Sequence, residues 1–207
     1  MMRRSGILLP VFSLPSRHGI GKMGRAAYEF VDFLKGAEVS CWQVLPLSPT
    51  GYGDYPYQSC CTYAGNPYLI DFDLLAEEGL LVPADYDGLN WGEDSNTIPY
   101  ALLYTQCYEV LRIAFSNAKP DPDFDAFVEA QKDWLEDYAL YMALKVANKM
   151  KNWVEWDAPY RRRDKAALAA FAAANEEEIG FWKFVQYKFS VQWQAVKAYA
   201  NKKGVQI

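Results

Sequence analysis

Near the amino end, residues 6–12, GILLPVF, form a short apolar run with the pattern of a buried strand, and Val39–Leu45 reads as a second strand. Between them Ala27, Phe30, Val31 and Leu34 recur at helical spacing, and Gly36 stands where a left-handed C-terminal cap is expected. Strand, helix and strand with short joints predict one βαβ unit, its strands parallel and its crossover right-handed.

The pattern then lapses. From Ser48 to Tyr68 the chain holds Pro, Gly and five tyrosines (Tyr52, Tyr55, Tyr57, Tyr63, Tyr68) but almost no aliphatic residue. A long loop without periodicity is uncommon in a compact domain unless it binds something. Tyrosine faces with hydroxyl rims, beside Asp54, Gln58, Asn66 and Asp71, suit a polyhydroxylated ligand such as a sugar; the alternative is that the rings only pack beneath the loop.

Beyond it, Asp73 is expected to cap a short helix over 74–78 that Gly79 closes, and residues 83–96 have the composition of a linker. The remainder reads as helical. Leu103, Cys107, Val110, Leu111 and Ala114 form one stripe, and Asp121-Pro122 opens a further helix. Asp133 with Glu136 reads as a capping box for another, and Asp164 caps 165–174. A final helix after Asn175, ending near Lys203-Gly204, is apolar nearly all round and should be largely buried. Val205-Gln206-Ile207 reads as the start of a strand, the expectation being that this is the front part of something longer.

Composition narrows the function. With 207 residues, 51% of them apolar, the chain supports a substantial core, and a formal charge of −5 argues against nucleic-acid or anionic-membrane partners. The only dense basic run, Arg161–Arg163, precedes Asp164 and reads as a solvated surface. No segment has the roughly eighteen uninterrupted apolar residues of a membrane span, and the apolar run after Arg3-Arg4 is broken by Pro10, so a cytoplasmic protein is expected. The four cysteines read as reduced, with Cys41 and Cys107 in the core and a Cys60–Cys61 bridge strained. The single histidine, His18, is expected at a surface or rim; no metal site or cofactor is indicated. Gly19, Gly21 and Gly24 match a phosphate-binding glycine pattern only loosely.

Four stretches in order, GILLPVFSLPSRHGIGKMG, WQVLPLSPTGYGDYPYQSCCTYAGNPYLIDFDLL, WLEDYALYMALK and FVQYKFSVQWQAVKAYANKKGVQI, resemble the amino-terminal part of the amylomaltase family, the 4-α-glucanotransferases of the α-amylase clan. The resemblance implies the start of a TIM (β/α)8 barrel, an α/β fold of which the first two strands are present, with a large helical insertion. The implied domains are 1–82, a βαβ unit with its substrate loop; 83–185, the insertion; and 186–207, a helix returning to the third barrel strand. It implies transfer of α-1,4-glucan segments with retention, by two displacements at a pair of carboxylates. The motifs carrying those carboxylates are not found here, so no residue is assigned a catalytic role and the chain alone is expected to be inactive. Loops after both strands, 13–22 and 48–68, would face the site. The implied glucan-binding residues are Tyr52, Asp54, Tyr55, Tyr57 and Asn66; Tyr55 stands where relatives often carry a small polar residue. The partners are α-1,4-glucans and maltooligosaccharides. The alternatives are a non-catalytic carbohydrate-binding module derived from such an enzyme, or a hydrolase of the same clan.

Overall fold

The computed structural model describes residues 4–51, 53–94 and 96–207. Strand β1 (Gly6–Leu8) pairs in parallel with β2 (Cys41–Gln43), Ile7 opposite Trp42, and α1 (Arg25–Gly36) connects them. The βαβ unit is present, but both strands are shorter than their apolar runs. Pro10 has no N–H to continue the ladder, so the chain turns into a 3-10 segment at Val11–Ser13. On the other side of β2, Gln206 bridges Cys41 in parallel: its N–H donates to the Ser40 carbonyl at 2.9 Å and the Trp42 N–H donates to its carbonyl at 2.7 Å. The sheet is thus flanked on both sides of β2.

Two compact units form. One contains Met1–Lys119 and Lys188–Ile207, the other Pro120–Tyr187. Residues 83–119 pack in the same unit as the βαβ elements. The segment that reads as a linker is held by buried Tyr86 and Trp91, the latter donating through its indole N–H to the Tyr86 carbonyl at 2.8 Å. Polar composition hid two aromatic anchors. This first unit also holds α2 (Phe72–Glu77) and α3 (Tyr100–Ser116), whose Leu103, Cys107, Val110, Leu111 and Ala114 are buried.

In the second unit, α4 (Pro122–Ala147) begins with Asp121 accepting from the Asp123 N–H and runs unbroken through Asp133 and Glu136. The expected capping box there is not a helix start. Glu136 pairs with Lys183 and Asp137 with Arg163, so the acidic spacing belongs to an exposed helix face. Short α5 (Ala158–Arg161) and α6 (Lys165–Ala174) follow, Asp164 accepting from the Ala167 N–H as anticipated. The last helix, α7 (Glu176–Lys203), belongs to both units, and Phe184–Phe189 are buried on every side of it. It stops before Gly204, whose φ of +81° lies in the left-handed region. At the end of α1 the expected cap is displaced: Gly36 is the last helical residue, and Glu38, at φ +57°, takes the left-handed turn.

Candidate functional site

The two loops that leave the carboxyl ends of β1 and β2 lie in the first unit, and their chemistry differs. The first, residues 13–24, is buried through its second half. Gly21 and Gly24 are there for contact. A Cβ on Gly21 would stand 2.1 Å from the Val11 carbonyl oxygen, and one on Gly24 would stand 2.0 Å from Asp71 Oδ2. These glycines allow close packing, so the loose glycine pattern carries no phosphate role. Between them Lys22 is buried, its Nζ donating to the Tyr68 and Ile70 carbonyls at 2.9 Å each and lying 3.8 Å from the centre of the Phe72 ring. Burial pushes the Lys22 ammonium below its usual range.

His18 corrects an expectation. It is 3% exposed, not at a rim, and sits among Phe72, Tyr86 and Trp91 with ring centres 5.3, 5.3 and 5.7 Å away. Its Nε2 has no hydrogen-bond partner and lies 3.9 Å from Asp87 Oδ1. Burial, reinforced by the charge on Lys22, pushes its pKa down to about 4, so the ring is neutral. Nearby, Asp73 accepts from Arg17 at 2.6 Å and Tyr86 at 2.8 Å and does not cap α2; Asp71 does, accepting from the Leu74 N–H at 3.1 Å. An open groove of about 1120 Å³ runs between residues 12–22 and residues 91–94 and 96–98.

The second loop is tied at its base and left open above. The Asn66 N–H donates to the Leu47 carbonyl at 2.7 Å, closing 48–65 into one excursion. Inside it the Gly51 N–H donates to the Gln58 carbonyl at 2.9 Å, while Gly53 and Asp54 take consecutive left-handed conformations, φ +84° and +57°. A non-glycine residue there is uncommon, aspartate being among the more tolerant, and such backbone often accompanies a binding function. Asp54 Oδ1 accepts from the Thr50 hydroxyl at 3.3 Å, which fixes the carboxylate at the turn. Beyond the turn Tyr55, Tyr57 and Tyr63 are 66%, 77% and 75% exposed. Large rings left this bare on an ordered turn offer stacking faces.

Of the residues named from sequence, Tyr55 and Tyr57 are exposed on this loop, Asp54 is at its turn, and Tyr52 lies outside the described residues. Asn66 is elsewhere in character: buried, with its side-chain oxygen accepting from the Tyr68 N–H at 3.0 Å, it caps the 3-10 turn Pro67–Leu69. Tyr68 is also buried, against Tyr100 and Tyr108, and burial pushes its phenol up. Sequence reasoning missed the supports of the loop's base. Gln192 on α7 accepts from the Asp71 N–H at 2.7 Å and donates to the Asp71 carbonyl at 3.0 Å, replacing a strand neighbour with a side chain. A Cβ on Gly65 would meet the Phe189 ring at 2.0 Å, and Lys188 pairs with Glu78. The available signal was the polar set of α7, Lys188 and Gln192 among it, interleaved with its aromatic residues. Beside the loop, Val44–Ser48, Thr62, Tyr63, Phe189 and Trp193 line an apolar groove of about 520 Å³. Among the described residues no group of three or more His, Cys, Asp or Glu could hold a metal ion, and no helix is long and apolar enough to cross a membrane.

A family model described as 4-alpha-glucanotransferase matches residues 9–207. The chain belongs to the 4-alpha-glucanotransferase family. A 4-alpha-glucanotransferase of Clostridium butyricum is 44% identical over 199 residues, covering 95% of this chain and 41% of that protein. One from Thermus thermophilus is 44% identical over 211 residues, 99% of this chain and 41% of that protein. The solved amylomaltase from Streptococcus agalactiae in complex with acarbose superposes with a TM-score of 0.96 at 41% identity, covering all of this chain and 42% of that one. The chain therefore spans about two fifths of the length of these family members, and its fold is that of the matching part of the S. agalactiae structure.

Proposed function

We propose that this chain is the amino-terminal, glucan-holding portion of a 4-α-glucanotransferase. The single observation that carries this is the open tyrosine loop leaving β2: an ordered, exposed aromatic turn in a chain matched by the 4-alpha-glucanotransferase family over 9–207. In this reading β1, β2 and the Gln206 strand are successive strands of a (β/α)8 barrel, and the loop lies at the carboxyl end of the second, where barrel sites are built. The helical unit Pro120–Tyr187 is the core of an insertion between the second and third strands. The protein works in the cytoplasm on α-1,4-glucans and maltooligosaccharides, without a cofactor.

Each loop residue then has a task. Tyr55 and Tyr57 stack on glucose units, with Tyr52 as a further contact, and Asp54, held by Thr50, accepts from a sugar hydroxyl. Asn66, capped inward, acts through the loop base, positioning those that touch sugar. Retaining transfer needs a nucleophilic carboxylate and an acid/base carboxyl about 5–5.5 Å apart, and an acceptor sugar that outcompetes water. This chain contributes the hold on donor and acceptor; the reacting carboxylates are supplied by later strands.

The test has two arms. Titration of the chain with maltoheptaose, followed by tryptophan fluorescence or calorimetry, should saturate, and the Tyr57→Ala variant should bind less tightly. Incubation with maltotriose should release no glucose. Absence of binding by a folded chain defeats the assignment of the loop, and glucose release by the chain alone defeats the assignment of the carboxylates.

A further inference from the structure

Between Tyr57 and Tyr63 the open loop carries two adjacent thiols, Cys60 and Cys61, which the glucan reading does not use. Cys60 is exposed and Cys61 half-buried, and they are not joined in a disulfide. The Ser59 hydroxyl accepts from the Cys61 N–H at 3.2 Å and donates to the Cys61 carbonyl at 2.9 Å, folding the pair into a bend at the surface. Neighbouring α-carbons are only about 3.8 Å apart, whereas unstrained disulfides span roughly 4.4–6.8 Å. A direct S–S bond between these two is strained and readily reduced, so the dithiol is the resting form. An atom inserted between the sulfurs removes that mismatch by lengthening the bridge. The other cysteines offer no such pair: Cys107 is buried in α3, where burial pushes its thiol up, and Cys41 lies in β2.

We propose that Cys60 and Cys61 form a vicinal dithiol site for trivalent thiophiles, with monosubstituted arsenicals as the chemical class it takes. The step is a condensation without oxidation or reduction. Two S–H bonds and the As=O bond break, two As–S bonds form, and the arsenical oxygen leaves with both protons as water. The third bond of arsenic stays with its organic group, so no further protein ligand is needed. The site is independent of whether the loop holds sugar.

Phenylarsine oxide tests this on the native chain at about one equivalent, followed by a monothiol wash and intact-mass measurement. One adduct should survive the wash, two thiols should vanish from titration, and 2,3-dimercaptopropanol should restore both. Cys60→Ser and Cys61→Ser should each retain less than about a tenth of the adduct, while Cys41→Ser and Cys107→Ala retain it as the parent does. Because the paired thiols are sequence neighbours, a fall in the first two variants against retention in the second two does not depend on how well any variant folds. Retention in Cys60→Ser or Cys61→Ser overturns the site. So does an adduct that forms only after denaturation in urea, which would mean that the fold holds the sulfurs apart.

Discussion

Two loops leave the same end of a parallel strand pair and have opposite fates. The loop after β1 turns inward: Lys22 caps two carbonyls, His18 fills an aromatic box, and Gly21 and Gly24 leave no room for a methyl group. The loop after β2 is stitched at its base by Asn66 and then raises Tyr55, Tyr57 and Tyr63 into solvent. Length and composition separate them less than the destination of their polar groups does. Where the polar groups turn inward, with only the buried His18 Nε2 left unmatched, the loop is a latch, and where large rings and a strained aspartate remain outside it is available to a ligand.

The contrast can be broken most severely at the latch. Gly21→Ala should lower unfolding free energy by about 3–5 kcal/mol in urea titration, since backbone atoms on several sides cannot yield. Lys22→Met should follow at roughly 2–4 kcal/mol by the same measurement, because two buried carbonyls lose their donor. His18→Phe sharpens the comparison through pH. The folded pKa of about 4 lies below the ordinary 6.5, so protons bind the unfolded chain more readily, and stability is full above about pH 6.5 and is lost as pH falls towards 4. The full loss is on the order of 3 kcal/mol. The phenylalanine variant should match the parent at pH 8 and lack His18's share of the decline in thermal unfolding followed from pH 7 to 4. Tyr57→Ala should change stability least, within about 0.5 kcal/mol, yet weaken maltoheptaose binding by roughly five- to tenfold, measured calorimetrically.

Period and punctuation made much of this legible from residues alone. The parallel pair, α1, the caps at Asp121 and Asp164, the closing Gly79 and the extended character of Gln206 follow from local rules that tertiary contacts did not override. Whether the loop's tyrosines pack or stand clear was open from the residues alone: Tyr55 and Tyr57 stand clear and Tyr68 packs. The latch was not legible. A lysine among glycines and a histidine in a polar loop look solvated until Phe72 is seen over Lys22, and Phe72, Tyr86 and Trp91 around His18, fifty or more positions away. The same distance hid the edge of the first unit, since Tyr86 and Trp91 turn a linker-like segment into core. Asn66 shows a polar residue with structural work of its own: its side-chain oxygen accepts from the Tyr68 N–H and caps a 3-10 turn.

Gln192 clasps Asp71 across 121 residues of chain, and the whole of Pro120–Tyr187 lies within that span. Closing so long a loop early would be slow, because its ends must meet before any contact rewards them. The helical unit offers a shortcut, since its contacts are local and its collapse brings the ends of the span closer in effective length. The clasp should therefore form after the rate-limiting barrier. Gln192→Ala should speed unfolding while leaving the folding rate nearly unchanged, which makes this one amide a brake on coming apart and a bystander in coming together.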